Sequence, residues 1–193
     1  MNRYLNRAFK LGRWLFLSLC VSIILISLLG VDVKAATKKA PWVVTFFGPP
    51  NSPISSAVAV PAIKAYYWTS GTVPPVLDSN APAGSRERYG DTQTQAVGTL
   101  QRIQSLLEEA GLTLSDVIYL RVYLVADPFK ENTIDYQGWF DAYAQFFDTP
   151  TTPKVARSTV GVAGLVNPDW LIEIEAVAVY PKIGKPFPFS RFY

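Results

Sequence analysis

The chain contains no histidine, and its one cysteine is Cys20. Each absence removes a class of chemistry. Without histidine there is no Ser-His-Asp triad. Cys20 lies in an apolar N-terminal run, so no thiol remains beyond it to act as a nucleophile. The usual zinc sites need Cys or His and are excluded with them. A disulfide framework is excluded too, so packing alone must hold the fold. No Walker loop occurs, and GVAGL at 161–165 is not the GxGxxG phosphate turn. Charge is scarce, at 17% of residues, whereas 49% are apolar and 13% aromatic. That composition supports a core. The length of 193 residues suits one domain with extensions.

The N-terminus is a different kind of sequence. Residues 1–13 carry Arg3, Arg7, Lys10 and Arg13 and no acid, and residues 14–31 carry no charge. VDVKAA follows, with small residues at Val33, Ala35 and Ala36. A basic start, an apolar run and an A-x-A-like end read as a secretory signal over residues 1–35. The run is long for a signal and slightly short for a span, so the alternative is an uncleaved membrane anchor. In both cases the positive flank stays inside and the folded part lies outside the cytoplasmic membrane, periplasmic or secreted. Any membrane link would run through that segment alone.

Removing residues 1–35 takes away five of the 18 basic residues and one of the 15 acids. That leaves 13 basic and 14 acidic residues, a net charge of −1 against +3 for the whole chain. The basic balance belongs to the leader, and nothing points to nucleic acid as a partner.

Beyond the leader, residues 36–41 read as a short tether, 42–182 as the domain and 183–193 as a Pro- and aromatic-rich tail. Strands are predicted at 42–48, 58–60 and 65–69. Residues 72–90 are rich in Pro, Gly, Ser and Asn and read as a long loop, a length often tied to function. Apolar residues at Ala96, Val97, Leu100, Ile103, Leu106, Leu107 and Ala110 predict a helix from Asp91 to Gly111. DVIYLRVYLVAD, 116–127, alternates. Ile118, Leu120, Val122 and Leu124 face one way, and Val117, Tyr119, Arg121, Tyr123 and Val125 the other. A second helix is predicted over 134–147, ended by Pro150 and Pro153. PKVARSTVGVAGLVNPDWLIEIEAVAVY, 153–180, reads as two more strands. The order predicts an α+β fold, a mixed sheet with two helices on one face.

Three charges on the last strands call for partners, since strand interiors seldom carry them. Arg157 heads the first of these strands. A guanidinium offers a planar fork of donors that fits a carboxylate, from a ligand or from a protein acid. Glu173 and Glu175 share one face of IEIEAVAV, with Ile172, Ile174, Ala176 and Ala178 on the other. A carboxylate can orient water and shuttle a proton, and no histidine competes for the task. Glu175 reads as structural, paired with Arg121.

These residues resemble a known family. SGTVPP at 70–75, QTQAVGTLQRIQSLLEEAGLTLSDVIYLRVYLVAD, YAQFF, ARSTVGVAGL and IEIEAVAVY are similar to the motifs of the YjgF/RidA family of reactive enamine/imine deaminases. The resemblance implies a chorismate-mutase-like fold, a homotrimer, and sites in the clefts between subunits. It implies hydrolysis of 2-imino and enamine acids to 2-oxo acids and ammonia, without a cofactor or metal. Arg157 matches the arginine that holds the substrate carboxylate, and Glu173 the glutamate that positions water. Ser70 and Gly71 match the turn lining the cleft, and Thr159 stands where the family has cysteine. Two further positions depart from the pattern: Ile54 falls near the family's tyrosine and Phe140 near its asparagine. Arg86, Arg88 and Tyr89 of the long loop could join the cleft rim. The alternative is a trimer of the same fold that binds a small carboxylate or a partner without turnover. RNA cleavage, a third implied activity, suits an acidic, histidine-free domain worst.

Overall fold

A computed structural model describes residues 42–181. The leader at 1–35, the tether at 36–41 and the tail at 183–193 lie outside the described residues.

The chain forms β1 (Thr45–Phe47), β2 (Ala57–Ala59), β3 (Tyr66–Trp68), α1 (Arg86–Tyr89), α2 (Thr92–Glu109), β4 (Val117–Leu124), α3 (Tyr136–Phe146), β5 (Ala156–Gly161) and β6 (Ile172–Val179). A four-stranded sheet has the order β3-β6-β4-β5. β6 runs antiparallel to both β3 and β4, while β5 runs parallel to β4. The parallel step needs a crossover, and α3 supplies it. β1 and β2 form a separate two-stranded sheet. The predicted α+β architecture is therefore present, with two long helices on one face of a mixed sheet.

The helices start and stop where local chemistry dictates. The Asp91 side chain accepts from the Thr94 amide at 2.8 Å, and the Asp135 side chain from the Gly138 amide at 3.0 Å. Each satisfies a donor that the first turn leaves orphaned. α2 ends as Gly111 turns to φ +73°. Its amide donates to Glu108, and the Leu112 amide donates to Leu107. This paired closure favours glycine at the left-handed position.

Between sheet and helices lies the main core. Leu100, Ile103 and Leu107 of α2 and Trp139 and Tyr143 of α3 meet Leu120, Val122, Leu124, Ile172, Ile174, Ala176 and Ala178. The sheet's other face is apolar at one end, where Ile118, Val177 and Val179 pack under Val44, Phe46, Val58 and Val60 of the small sheet. Elsewhere that face is polar.

Two details differ from the alternation read in the sequence. The register between β4 and β6 shifts between Val117 and Tyr119. Val117 therefore joins the helix-side core and Ile118 the opposite cluster, the reverse of their predicted faces. An extra residue in one strand of a pair inverts the parity of what lies before it. The 72–90 segment is also not loop throughout. Thr72 pairs with Ile174 as an isolated bridge, and Arg86–Tyr89 form a helical turn.

Candidate functional site

The side chains of paired residues in a parallel ladder project to the same face. Arg157 pairs with Leu120 and Thr159 with Val122, so both point toward the helices. β5 is an edge strand, and α3 lies along it. The Arg157 guanidinium carbon sits 4.2 Å from the Tyr143 ring centroid, 4.9 Å from Phe140 and 5.3 Å from Trp139. The guanidinium thus lies in an aromatic box built by one helix. The Tyr143 hydroxyl accepts from the Val155 amide at 3.1 Å, which fastens the box to the start of β5.

No carboxylate among the described residues answers this cation. Among the described residues Arg157 makes no ion pair, and its Nη1 is buried without a hydrogen-bond partner. Burial pushes its pKa below the ordinary value, with the Tyr143 hydroxyl acting the other way. A guanidinium still remains protonated at neutral pH. Ring faces stabilise a cation without satisfying its N–H donors. The arrangement is a held positive charge with a donor waiting for an acceptor.

Thr159 is already engaged, because its hydroxyl accepts from Trp139 Nε1 at 3.2 Å. Phe140 lies over the guanidinium, and Ile54 packs against the main core. Lys154 holds the loop beside Ile54 by donating to the carbonyls of Pro49, Pro50 and Ser52 at 2.9, 2.9 and 2.6 Å.

Glu173 lies elsewhere. It pairs with Tyr123 on the face away from the helices. Its carboxylate leans over the 70–71 turn, so that a Cβ on Gly71 would fall on the carboxylate itself. Ser70 is exposed, and its carbonyl accepts from the Thr72 hydroxyl at 3.3 Å. The Thr72 amide and carbonyl bond to Ile174, which fixes the turn beside Glu173. Ser70, Gly71 and Glu173 therefore form one group and Arg157 and Thr159 another. Within one protomer they do not meet. β4 stands between β5 and β6, which separates the strands by about 10 Å, and the two groups occupy opposite faces. Arg157 and Glu173, assigned to one cleft by the family resemblance, thus lie on opposite faces of the sheet within a protomer.

The rest of the polar face is paired. Arg121 Nη1 lies 2.9 Å from Glu175 Oε2, and the Tyr123 hydroxyl donates to Glu175 Oε1 at 3.1 Å. Glu175 is structural, as read from its register. The Tyr119 hydroxyl donates to Ser158 Oγ at 2.7 Å.

In the long loop, Arg86 Nη2 makes two bonds to the fully buried Asp127, at 2.6 and 2.8 Å. Arg88 donates to the Ala81 carbonyl, and the buried Tyr89 hydroxyl accepts from Asn167. All three hold the loop in place. Trp139 and Tyr143 are the site residues that sequence reasoning passed over. Aromatics at spacings of three and four on the helix preceding ARS were the available signal, and they read as ordinary core. Among the described residues no group of His, Cys, Asp and Glu could hold a metal ion.

Comparisons with known proteins bear on the family and the fold. The endoribonuclease L-PSP family model matches residues 49–180. The 3-aminoacrylate deaminase RutC of Acinetobacter baylyi is 35% identical over 132 residues, covering 67% of this chain and 93% of that protein. A putative reactive intermediate deaminase, TdcF of Escherichia coli, is 31% identical over 112 residues, covering 58% of this chain and 77% of that protein. Among solved structures, the Rid-family protein YyfB of Yersinia pestis superposes with a TM-score of 0.52. It is 25% identical and covers 71% of this chain and 98% of that one. The mixed sheet, the two helices, the motif-bearing strands and these matches agree: the chain belongs to the YjgF/RidA family.

Proposed function

We propose that this domain hydrolyses reactive 2-imino and enamine acids to 2-oxo acids and ammonia, outside the cytoplasmic membrane. The observation that carries the reading is Arg157, a cation in an aromatic box with a buried Nη1 and, among the described residues, no acid to answer it. A ligand carboxylate can accept two parallel bonds from such a fork. The similarity to a 3-aminoacrylate deaminase and to a putative reactive intermediate deaminase supports the same chemistry.

The two half-sites call for a second copy. One protomer's β5 edge carries Arg157, and the opposite side of its sheet carries Ser70, Gly71 and Glu173. Head-to-tail association of identical chains would set the second group of one copy against the first group of the next. Where the rotation closes, such contacts form a ring, and a homotrimer is the ring proposed. Each cleft would then take Arg157 from one subunit and Glu173 from its neighbour.

In that cleft Arg157 grips the substrate carboxylate, and Glu173 of the neighbouring copy orients a water. The water oxygen adds to the C=N carbon, the π pair moves to nitrogen, and Glu173 takes the water proton and passes a proton to nitrogen. Glu173 then takes the hydroxyl proton of the carbinolamine and passes it to the amino nitrogen, so that the C–N bond breaks as C=O forms and ammonia leaves. One water is consumed per imine, and the 2-oxo acid remains. An enamine enters after protonation at its β-carbon. The step needs no redox partner, and a positioned carboxylate suffices for the proton transfers.

A second reading is favoured by Ile54 and Phe140, where the resemblance expects a hydroxyl and an amide. It is a trimer that binds small carboxylates without turnover. One experiment separates the two. Generate 2-iminobutanoate with an amino-acid oxidase and follow 2-oxo acid release with wild type and Arg157→Ala. Acceleration by wild type that Arg157→Ala loses supports the deaminase. No acceleration, with Arg157-dependent binding of 2-oxobutanoate, supports the binder. Binding that survives Arg157→Ala overturns both.

A further inference from the structure

We propose that the site selects acids with a large apolar side chain, aromatic ones foremost, and that Phe140 and Tyr136 make that selection. The inference rests on the reading of Arg157 as the carboxylate anchor. It starts from two rings that a core would normally hide. Phe140 is 39% exposed and Tyr136 41% exposed, although both lie on α3 with the buried Trp139 and Tyr143. They stand four residues apart, so they share one face of the helix. Their ring centroids are 6.4 Å apart with planes tilted by 34°.

The pair runs outward from the guanidinium along the edge strand. Phe140 lies 4.9 Å from the Arg157 guanidinium carbon. At the far end, the Ile134 side chain fills the helix-side space at Gly161, with the Tyr136 hydroxyl at van der Waals distance. Arg157, Thr159 and Gly161 are alternate residues of β5 and face the helix together. A ligand with its carboxylate on Arg157 thus has an apolar lip of Phe140, Tyr136 and Ile134 leading away from the charge. A methyl or hydroxymethyl substituent would leave the lip wet, whereas an aryl group can pack against the tilted rings in the offset or edge-on geometry that aromatic pairs prefer.

Isothermal titration of the purified full chain with phenylpyruvate and with pyruvate tests this, using wild type, Tyr136→Ala, Phe140→Ser and Arg157→Ala. Wild type should bind phenylpyruvate at least about tenfold more tightly than pyruvate. Tyr136→Ala and Phe140→Ser should each bring that ratio down by about threefold or more. Arg157→Ala should lose both ligands. Equal wild-type affinities, or a ratio that neither lip variant moves, would overturn the selectivity and leave the anchor standing. An oligomer broken by Tyr136→Ala with the ratio unchanged would also overturn it, since the lip would then be subunit contact only. Binding of either acid that persists in Arg157→Ala would overturn the anchor itself.

Discussion

Replacing Arg157 by methionine separates a ligand anchor from a structural ion pair. Methionine keeps an unbranched apolar stem, ending about where Nε stood, and removes the charged head. If the guanidinium were half of a buried pair, its loss would strand an acid at a cost of about 3–5 kcal/mol. No such acid lies beside it among the described residues. What the substitution removes is a buried donor without an acceptor, whose burial costs about 1–3 kcal/mol. It also removes the ring contacts at 4.2, 4.9 and 5.3 Å, which favour the cation. A thioether recovers part of them, at about 0.3–1.5 kcal/mol per sulfur–aromatic contact. These effects nearly offset, so Arg157→Met should unfold within about 1 kcal/mol of wild type, or roughly 4 °C for a domain of this size. Carboxylate binding behaves otherwise. Two charge-assisted hydrogen bonds at about 1.5 kcal/mol each predict an affinity loss on the order of 100-fold. The assays are thermal unfolding without ligand at neutral pH and titration with 2-oxobutanoate. An unfolding midpoint lowered by more than about 10 °C, with binding retained, would refute the reasoning.

Glu173→Gln should keep carboxylate binding and lower the rate of imine hydrolysis by about 10²–10⁴-fold, the usual contribution of a positioned acid–base group. Steady-state kinetics beside a titration reads both. Gly71→Ala should push the Glu173 carboxylate off the turn it covers, costing turnover on the order of tenfold while unfolding shifts by less than about 1 kcal/mol. Asp135 supplies a pH-dependent prediction. Burial pushes its carboxyl up, but the Lys130 ammonium and the Gly138 amide outweigh that and hold it below its ordinary value. Its contribution is therefore complete above the ordinary carboxylate range and fades as pH falls through the lowered folded value. Asp135→Ala should cost about 1 kcal/mol at pH 7, and the gap to wild type should close below about pH 4 in urea melts.

Much of the fold was legible because the signals were local. α2 announced itself by an apolar stripe, an aspartate cap and a closing glycine, and β4 by alternation. Family motifs on β5 and β6 located Arg157 and Glu173. What was not legible depended on relations between strands. Parity along one strand does not say which face of the sheet it reaches, so consecutive strands could carry Arg157 and Glu173 to opposite faces unnoticed. The same limit hid the bulge that exchanges Val117 and Ile118, since alternation reads smoothly across it. Arg86 looked free because its partner, Asp127, lies 41 residues away. Trp139 and Tyr143 carried the right spacing for an aromatic box, but only the position of β5 beside α3 turns a core stripe into a cation site.

The central claim is that each site is completed by two copies of the chain. Mixing inactive chains tests it most directly. Arg157→Ala and Glu173→Gln are each expected to fail in imine hydrolysis alone. Co-refolded at equal amounts, about a quarter of the interfaces should pair an intact Arg157 with an intact Glu173 from different chains. Recovery of roughly that fraction of wild-type 2-oxo acid release is the predicted result. A mixture as inactive as its parts, with mixed oligomers demonstrably formed, would contradict it.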